Sequence, residues 1–215
     1  MIIKWYGQSC FLITTGDGEK IVTDPFNGML GYRVPSLEAD LVTVSHQHSD
    51  HNNLAAVRGA DRLVGDAGVI RIGKVDVNGI PSFHDRKSGR LRGENLIFNI
   101  EADGIHVCHL GDLGHELSPE QAAQIGPVDI LLIPVGGFFT INGQTAAQVA
   151  AMLHPSIVVP MHYRTKAVRL RMPMISTEEP FLEAMGTEAE TLSRLEILRQ
   201  DLPQKLRCVV LDYNS

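Results

Sequence analysis

The chain has 215 residues, 44% apolar and 20% charged, ordinary values for a soluble globular protein long enough to bury a substantial core. Its 25 acidic against 19 basic residues give a net charge of −6, which argues against non-specific nucleic-acid binding, because that needs a concentrated basic surface. Cys10, Cys108 and Cys208 are spread without paired spacing, which excludes a disulfide framework, and no apolar run approaches the length of a membrane span. The start of the chain lacks the apolar stretch of a signal peptide, so a reducing, cytoplasmic setting is expected.

In chain order, residues 1–4, 10–15 and 20–23 read as strands, the last two joined by the turn Gly16-Asp17-Gly18. Residues 41–45 read as a buried strand and 53–58 as a short helix. Further strands are expected at 62–64, 69–72 and 74–82, then a hairpin of 96–101 and 105–110 around Ala102-Asp103-Gly104. Beyond this point the pattern changes. Ser118-Pro119-Glu120-Gln121 is a helix start, with serine as N-cap and proline in the first turn, and Gly126 ends that helix. Buried strands at 130–134 and 157–160 flank an amphipathic helix at 145–153. A last helix is expected at 177–185, followed by edge strands near 195–198 and 206–211. No composition shift marks a linker, so residues 1–215 are expected to form one domain. Strands first, then alternating helices and strands, imply an α/β (α+β) architecture of two packed sheets with helices on their outer faces.

The segment His46-Gln47-His48-Ser49-Asp50-His51 places four metal-ligand side chains directly after the apolar run Leu41-Val42-Thr43-Val44. Imidazole and carboxylate suit zinc and its first-row neighbours. Two histidines two residues apart can reach one ion, and the Asp-His pair that follows can reach a second. Capping of a helix by Asp50 or Asn52 would need one side-chain oxygen and no imidazoles. His46, His84, Asp112 and His162 each stand just past the end of an apolar strand. If those strands share a sheet, the four residues meet at one rim.

These residues, in this order, resemble the metallo-β-lactamase superfamily. Its His-x-His-x-Asp-His motif stands at residues 46–51, its later single histidine at His84, its Gly-Asp aspartate at Asp112 and its last histidine at His162. An early Asp-Pro pair matches Asp24-Pro25. The stretches His109-Leu110-Gly111-Asp112-Leu113-Gly114-His115, Ile133-Pro134-Val135-Gly136-Gly137 and Pro160-Met161-His162-Tyr163 are similar to the branch of ascorbate-6-phosphate lactonase-like proteins. The resemblance implies a four-layer αββα sandwich of two mixed sheets. It also implies one ion on His46, His48 and His84 and another on Asp50, His51 and His162, with Asp112 bridging them. Asp50 and Asp112 are then the catalytic carboxylates, and a hydroxide between the ions is the nucleophile. Zinc or manganese is the expected pair of divalent ions, with iron also acceptable to such ligands. A bound divalent cation lowers the pKa of water to about 7, and a second can polarise the substrate oxygen. Some relatives carry an acidic residue for di-iron redox work where this chain has His48, which favours hydrolysis.

His109 competes with His84 for the third histidine position. It stands three residues before Asp112, and odd spacing along a strand puts side chains on opposite faces, so His84 is preferred and His109 is expected to support the ligands or sit in the core. Asp24 is either a turn former before proline or, preferentially, a support that accepts a proton from a ligand imidazole. His115 either faces the cleft or only begins the loop before the Ser118 helix. Tyr163 and Arg164 follow an expected ligand and could orient an anionic substrate, or be plain loop residues. His106 and His154 are read as structural. Gly136-Gly137-Phe138-Phe139 lacks the lysine and spacing of a phosphate loop; it is expected to let the backbone pass close to the metals while a phenylalanine walls the pocket.

A hydrolase acting on an ester, lactone or phosphodiester of a small molecule is the leading expectation. Ser82-Phe83-His84-Asp85 replaces the usual His-Thr-Pro-Gly-His of thioesterase-type members, which counts against glyoxalase II or lactamase activity. The alternatives are a phosphodiesterase of lipid or nucleotide substrates and a non-catalytic metal-binding or ligand-sensing protein. Neither a nucleic-acid partner nor a membrane span is expected, and self-association is left open. Segment 164–174 is a lid, a pocket wall or a subunit contact.

Overall fold

The computed structural model describes residues 1–168 and 174–213. The first strands are β1 (Ile2–Gly7), β2 (Cys10–Thr14), β3 (Lys20–Thr23), β4 (Leu37–Glu38) and β5 (Leu41–Thr43). They are followed by β6 (Val57–Arg58), β7 (Arg62–Val64), β8 (Gly68–Ile72), β9 (Val75–Phe83), β10 (Glu94–Ala102) and β11 (Ile105–His109). Helices enter next, in the order α1 (Pro119–Ile125), β12 (Ile130–Pro134), α2 (Gly143–Leu153), β13 (Ile157–Met161) and α3 (Glu179–Met185). The chain closes with β14 (Ala189–Leu192), β15 (Leu195–Glu196) and β16 (Arg207–Leu211).

The strands build a six-stranded sheet, β15-β1-β2-β3-β5-β7, and an eight-stranded sheet, β14-β16-β13-β12-β11-β10-β9-β8, with β4 and β6 paired separately. Both large sheets are mixed. Antiparallel hairpins form β1–β2–β3 and β8–β9–β10–β11, while β3–β5–β7 and β11–β12–β13–β16–β14 run parallel. The consequence for function is directional. Strands β1, β3 and β5 point the same way, as do β9, β11 and β13, so the C-terminal ends of each set lie on one edge of its sheet. Backbone bonds tie the two edges together, from Leu96 N to Ser45 O (2.9 Å) and from His162 N to Gln8 O (3.0 Å). Ligands in open α/β sheets bind outside the carboxyl ends of strands, and this rim is that place.

Alternation explains how the six-stranded sheet packs. Ile3, Trp5, Phe11, Ile13, Ile21 and Leu41 turn inward to the large core between the sheets, while Cys10, Val22 and Val42 turn outward to a smaller apolar cluster. That outer cluster is closed by Phe26, Tyr32, Leu37, Ala39 and Val168, and among the described residues it contains none from an α-helix. The helices lie on the other side: α1 packs on β9 and β10, α2 on β12, and α3 on α2. Strands β12 and β13 are therefore covered on both faces and read as unbroken apolar runs. Truncating a fully buried ring such as Phe11 or Phe98 to alanine would cost about 3–5 kcal/mol.

Three local expectations change. Residues 53–58 do not form a helix: a single 3-10 turn at Leu54–Ala56 gives way to β6, because Asn53 is bonded back to Pro25 and Phe26 and Val57 pairs with Leu37. Strand β16 is interior to its sheet, and the edge is β14, whose Ala-Glu-Thr-Leu carries too little apolar pattern to announce a strand. The helical cover expected on both outer faces is present on the eight-stranded sheet, whereas irregular chain around residues 26–40 covers its partner. Helix α1 starts as expected, with the Ser118–Gln121 capping box. Of segment 164–174, residues 169–173 lie outside the described residues.

Candidate metal centre

Five segments supply the rim, each from a strand end. Asp24 follows β3, and His46, His48, Asp50 and His51 follow β5; His84 follows β9, Asp112 follows β11 and His162 follows β13. The ligand-type atoms of His46, His48 and His84 lie within 4.8 Å of one another, as do those of Asp50, His51 and His162. Asp112 stands between the groups. Its Oδ2 is 3.2 Å from His84 Nε2, 3.3 Å from His51 Nε2 and 3.1 Å from His162 Nε2. All seven residues that the resemblance implies as ligands are thus brought to one place.

Glycines make two of the close approaches possible. Gly111 sits at φ +55°, where a Cβ would come within 2.4 Å of Asn95 Oδ1 and 2.7 Å of Ser45 Cβ. Its absence lets the turn drop between those side chains, and Asp112 N then donates to Asn95 Oδ1 at 2.8 Å. A Cβ on Gly136 would meet the His162 carbonyl oxygen at 2.2 Å. Phe139, three residues on, lines the cavity at the centre. Gln8, Asp24 and His162 hold left-handed backbone at φ 52°, 40° and 53°, a strained conformation sustained by the bonds around them.

Asp24 organises the imidazoles from below. It is fully buried, accepts from Ser45 N at 2.7 Å and Ser45 Oγ at 2.6 Å, and meets His51 Nδ1 at 2.9 Å. The single Ser45 hydroxyl proton points to Asp24, so at 3.0 Å Ser45 Oγ accepts from His46 Nδ1. Both histidines are thereby held with the proton on Nδ1 and Nε2 turned to the centre. His46 Nε2 is buried and has no hydrogen-bond partner, while His51 Nε2 faces Asp112 Oδ2 at 3.3 Å. Burial opposes protonation of His51, but Asp112 with Asp24 outweighs it and raises the His51 pKa. A buried lone pair without a donor is costly, and a cation is the partner that suits it. The donor set fits divalent metal.

The electrostatics follow from the same crowding. Burial, and then the neighbouring His51, lowers the His46 pKa to about 3, so this ring is neutral and its lone pair available at pH 7. Burial likewise pulls His48 down, with His84 adding to it. Burial opposes ionisation of Asp112, yet His162 and His51 outweigh it and hold the carboxyl well below its usual range. Asp50 Oδ2 is steadied by Gln8 Nε2 at 3.0 Å.

The remaining histidines divide cleanly. His109 is fully buried and both its nitrogens are engaged: Nε2 donates to Ser9 O at 2.9 Å and Nδ1 accepts from Gly111 N at 3.2 Å. The separation from His84 does not come from strand alternation, because β11 ends at His109 and Asp112 lies in the turn beyond it. His115 does not line the central cavity; its Nε2 accepts from Phe83 N at 3.2 Å and its Nδ1 meets Glu116 O at 2.8 Å, bracing the end of β9 next to His84. Tyr163 does not face substrate space either. It is buried in the core against Trp5, ring centroids 5.2 Å apart, because the bend at His162 turns the next side chain inward. His154 ends α2 in left-handed backbone. Sequence reasoning missed Gln8, Ser45 and Asn95, all polar residues beside apolar strands at the same rim, which was the available signal.

Fold and site together define a metal-dependent hydrolase. The chain belongs to the metallo-β-lactamase superfamily: the Beta-lactamase superfamily domain matches residues 2–162. It is 29% identical over 218 residues to a metal-dependent hydrolase of the UPF0173 group from Thermococcus onnurineus, covering 88% of this chain and 94% of that protein. A Thermotoga maritima protein named as a Zn-dependent hydrolase of the metallo-β-lactamase superfamily superposes with a TM-score of 0.82 at 37% identity, covering 98% of this chain and 97% of that one. The metallo hydrolase Igni18 from Ignicoccus hospitalis shares the fold, with a TM-score of 0.64 at 19% identity over 100% of this chain and 96% of its own.

Proposed function

We propose that this chain, as one domain, hydrolyses an ester, lactone or phosphodiester bond of a small molecule at a centre of two divalent cations, zinc or manganese, with iron also accepted. His46, His48 and His84 would hold one ion and Asp50, His51 and His162 the other, with Asp112 shared. The observation that carries this reading is Asp112 Oδ2, which lies 3.1–3.3 Å from imidazoles on three separate segments. When bound, such ions lower the pKa of water and polarise a carbonyl or phosphoryl oxygen.

The protein's own part is orientation and enclosure. Asp24 holds the His51 ring directly and the His46 ring through Ser45, so neither can rotate away from the centre. Gln8 fixes the Asp50 carboxylate. The cavity over the site is about 300 Å³, of a size for a small substrate, and Leu30, Phe139 and Ile175 give it apolar walls that exclude water. Three free, buried cysteines support a cytoplasmic setting. The test is elemental analysis of the purified protein, followed by a screen of esters, lactones and phosphodiesters with zinc and manganese added separately. Two ions per chain and turnover with either metal are expected; tight metal binding without turnover would leave a binding protein.

A further inference from the structure

The segment between His84 and β10 is strongly basic within an acidic chain: Arg86, Lys87, Arg90 and Arg92 put four cations within seven residues. Its one carboxylate, Asp85, is turned into the loop. There it accepts from the backbone N–H groups of Lys87 (2.7 Å), Gly89 (3.1 Å), Leu91 (2.9 Å) and Arg92 (2.8 Å), so its charge fixes the loop's shape. The loop is also closed at its base, where His84 N donates to Gly93 O at 3.1 Å. A rigid loop thus runs straight from an expected metal ligand to Arg92.

Arg92 lines the central cavity together with His48, Asp50, His84, Asp112 and His162. It also borders the adjoining clefts of about 610 Å³ and 400 Å³, the smaller of which carries Arg86 and Lys87. The Arg92 guanidinium lies 4.5 Å over the Phe139 ring and 5.7 Å from Phe138. Stacking on an aromatic face holds the planar fork of donors in place without using its hydrogen bonds. The Lys and Arg ion pairs among the described residues fall elsewhere, on Lys20, Arg71, Lys74, Arg194, Arg199 and Arg207. Glu94 and Asp66 border only the larger cleft and make no ion pair with Arg92. The two carboxylates of the cavity are engaged elsewhere, Asp50 by Gln8 and Asp112 by His51, His84 and His162. An oriented guanidinium that makes no ion pair among the described residues, at the lip of that site, is suited to an oxyanion brought in by a ligand.

We propose that Arg92 anchors an anionic group of the substrate, a phosphate or a carboxylate, beside the bond that is cleaved. This rests on the hydrolase reading above and narrows its substrate to anionic esters, lactones or phosphodiesters. Arg86 and Lys87 raise the local positive potential along the approach, and Arg92 makes the directed contact.

The experiment titrates the metal-loaded protein with glycerol 3-phosphate and, separately, with glycerate, in the wild type, Arg92→Ala and Arg92→Lys, with metal content measured on each. Any anion held by the ions themselves contributes alike to all three proteins, so the differences report Arg92. Arg92→Ala should weaken the preferred anion about tenfold or more at unchanged metal content, and Arg92→Lys should fall between, keeping the charge but losing the fork. Comparison of the two ligands decides between phosphate and carboxylate. Equal affinity in the wild type and Arg92→Ala, no wild-type binding of either ligand, or a lysine variant weaker than alanine would overturn the assignment. A kinetic arm compares the p-nitrophenyl half-ester of succinate with p-nitrophenyl butyrate. The anionic-to-neutral ratio of kcat/KM should drop about tenfold in Arg92→Ala. Absence of turnover with both esters would count against the hydrolase reading, while the titration still decides the role of Arg92.

Discussion

His48 and His51 directly flank Ser49 and Asp50, yet their surroundings are opposite. His51 is fully buried and bonded to Asp24, and its neighbour Asp50 is held by Gln8; His48 is exposed, and its ring makes no hydrogen bond among the described residues. The two ligand clusters that meet at Asp112 therefore differ in preorganisation. In the Asp50–His51–His162 cluster the side chains are set before a metal arrives. In the His46–His48–His84 cluster one ligand must be ordered by the ion itself. Ordering a free side chain opposes binding, so if each cluster takes an ion the second is expected to hold it more weakly.

The largest effect should come from the residue common to both. Asp112→Ala is expected to lose at least one ion and nearly all hydrolysis; normal metal content in that variant would break the two-cluster scheme. Next, His84→Ala should reduce metal occupancy well below that of His109→Ala, whose main cost is stability, about 1–3 kcal/mol from the Ser9 carbonyl and Gly111 amide left unpaired. Elemental analysis beside thermal unfolding separates the two outcomes. The asymmetry is then sharpened by His48→Ala, which should drop the metal content from two ions toward one while the other cluster stays loaded through dialysis. Loss of both ions together would show that the clusters are not independent. Asp24→Asn should weaken metal by roughly 10–100-fold, with the His51 side affected most, because Asp24 bonds that ring directly and His46 only through Ser45. A competitive chelator titration reads this.

The smallest effect concerns pH. Burial resists ionisation of Asp85, but its four backbone donors, Arg92 foremost, bring its pKa down to about 2. A folded-state pKa below the ordinary carboxylate value stabilises the protein above that ordinary value and loses the contribution as pH falls toward 2. The stability gap between the wild type and Asp85→Asn should thus be constant from neutral pH down to about 5 and shrink below about 4. A gap that persists undiminished near pH 2 would show that the carboxylate charge does not hold the loop.

Much of the centre was legible because its information is local or positional. The 46–51 motif carries its chemistry in six adjacent residues, and His84, Asp112 and His162 each follow an apolar strand whose length and composition mark its end. Sheet membership was legible for the same reason, since strands such as β12 and β13 are continuous apolar runs. The roles of His115 and Tyr163 were not, because each depends on which neighbour packs against it: the Phe83 amide and the Trp5 ring come from distant segments. Arg92 was silent in the sequence, as arginines on a charged loop ordinarily face solvent. Ligand type and order along the chain were thus determined by the sequence itself, through strand periodicity and donor chemistry. Only the tertiary structure decided which imidazoles keep a free lone pair, which cluster is held rigid and which cation faces the cavity, because hydrogen-bond partnership and burial arise between strands that the chain order does not place side by side.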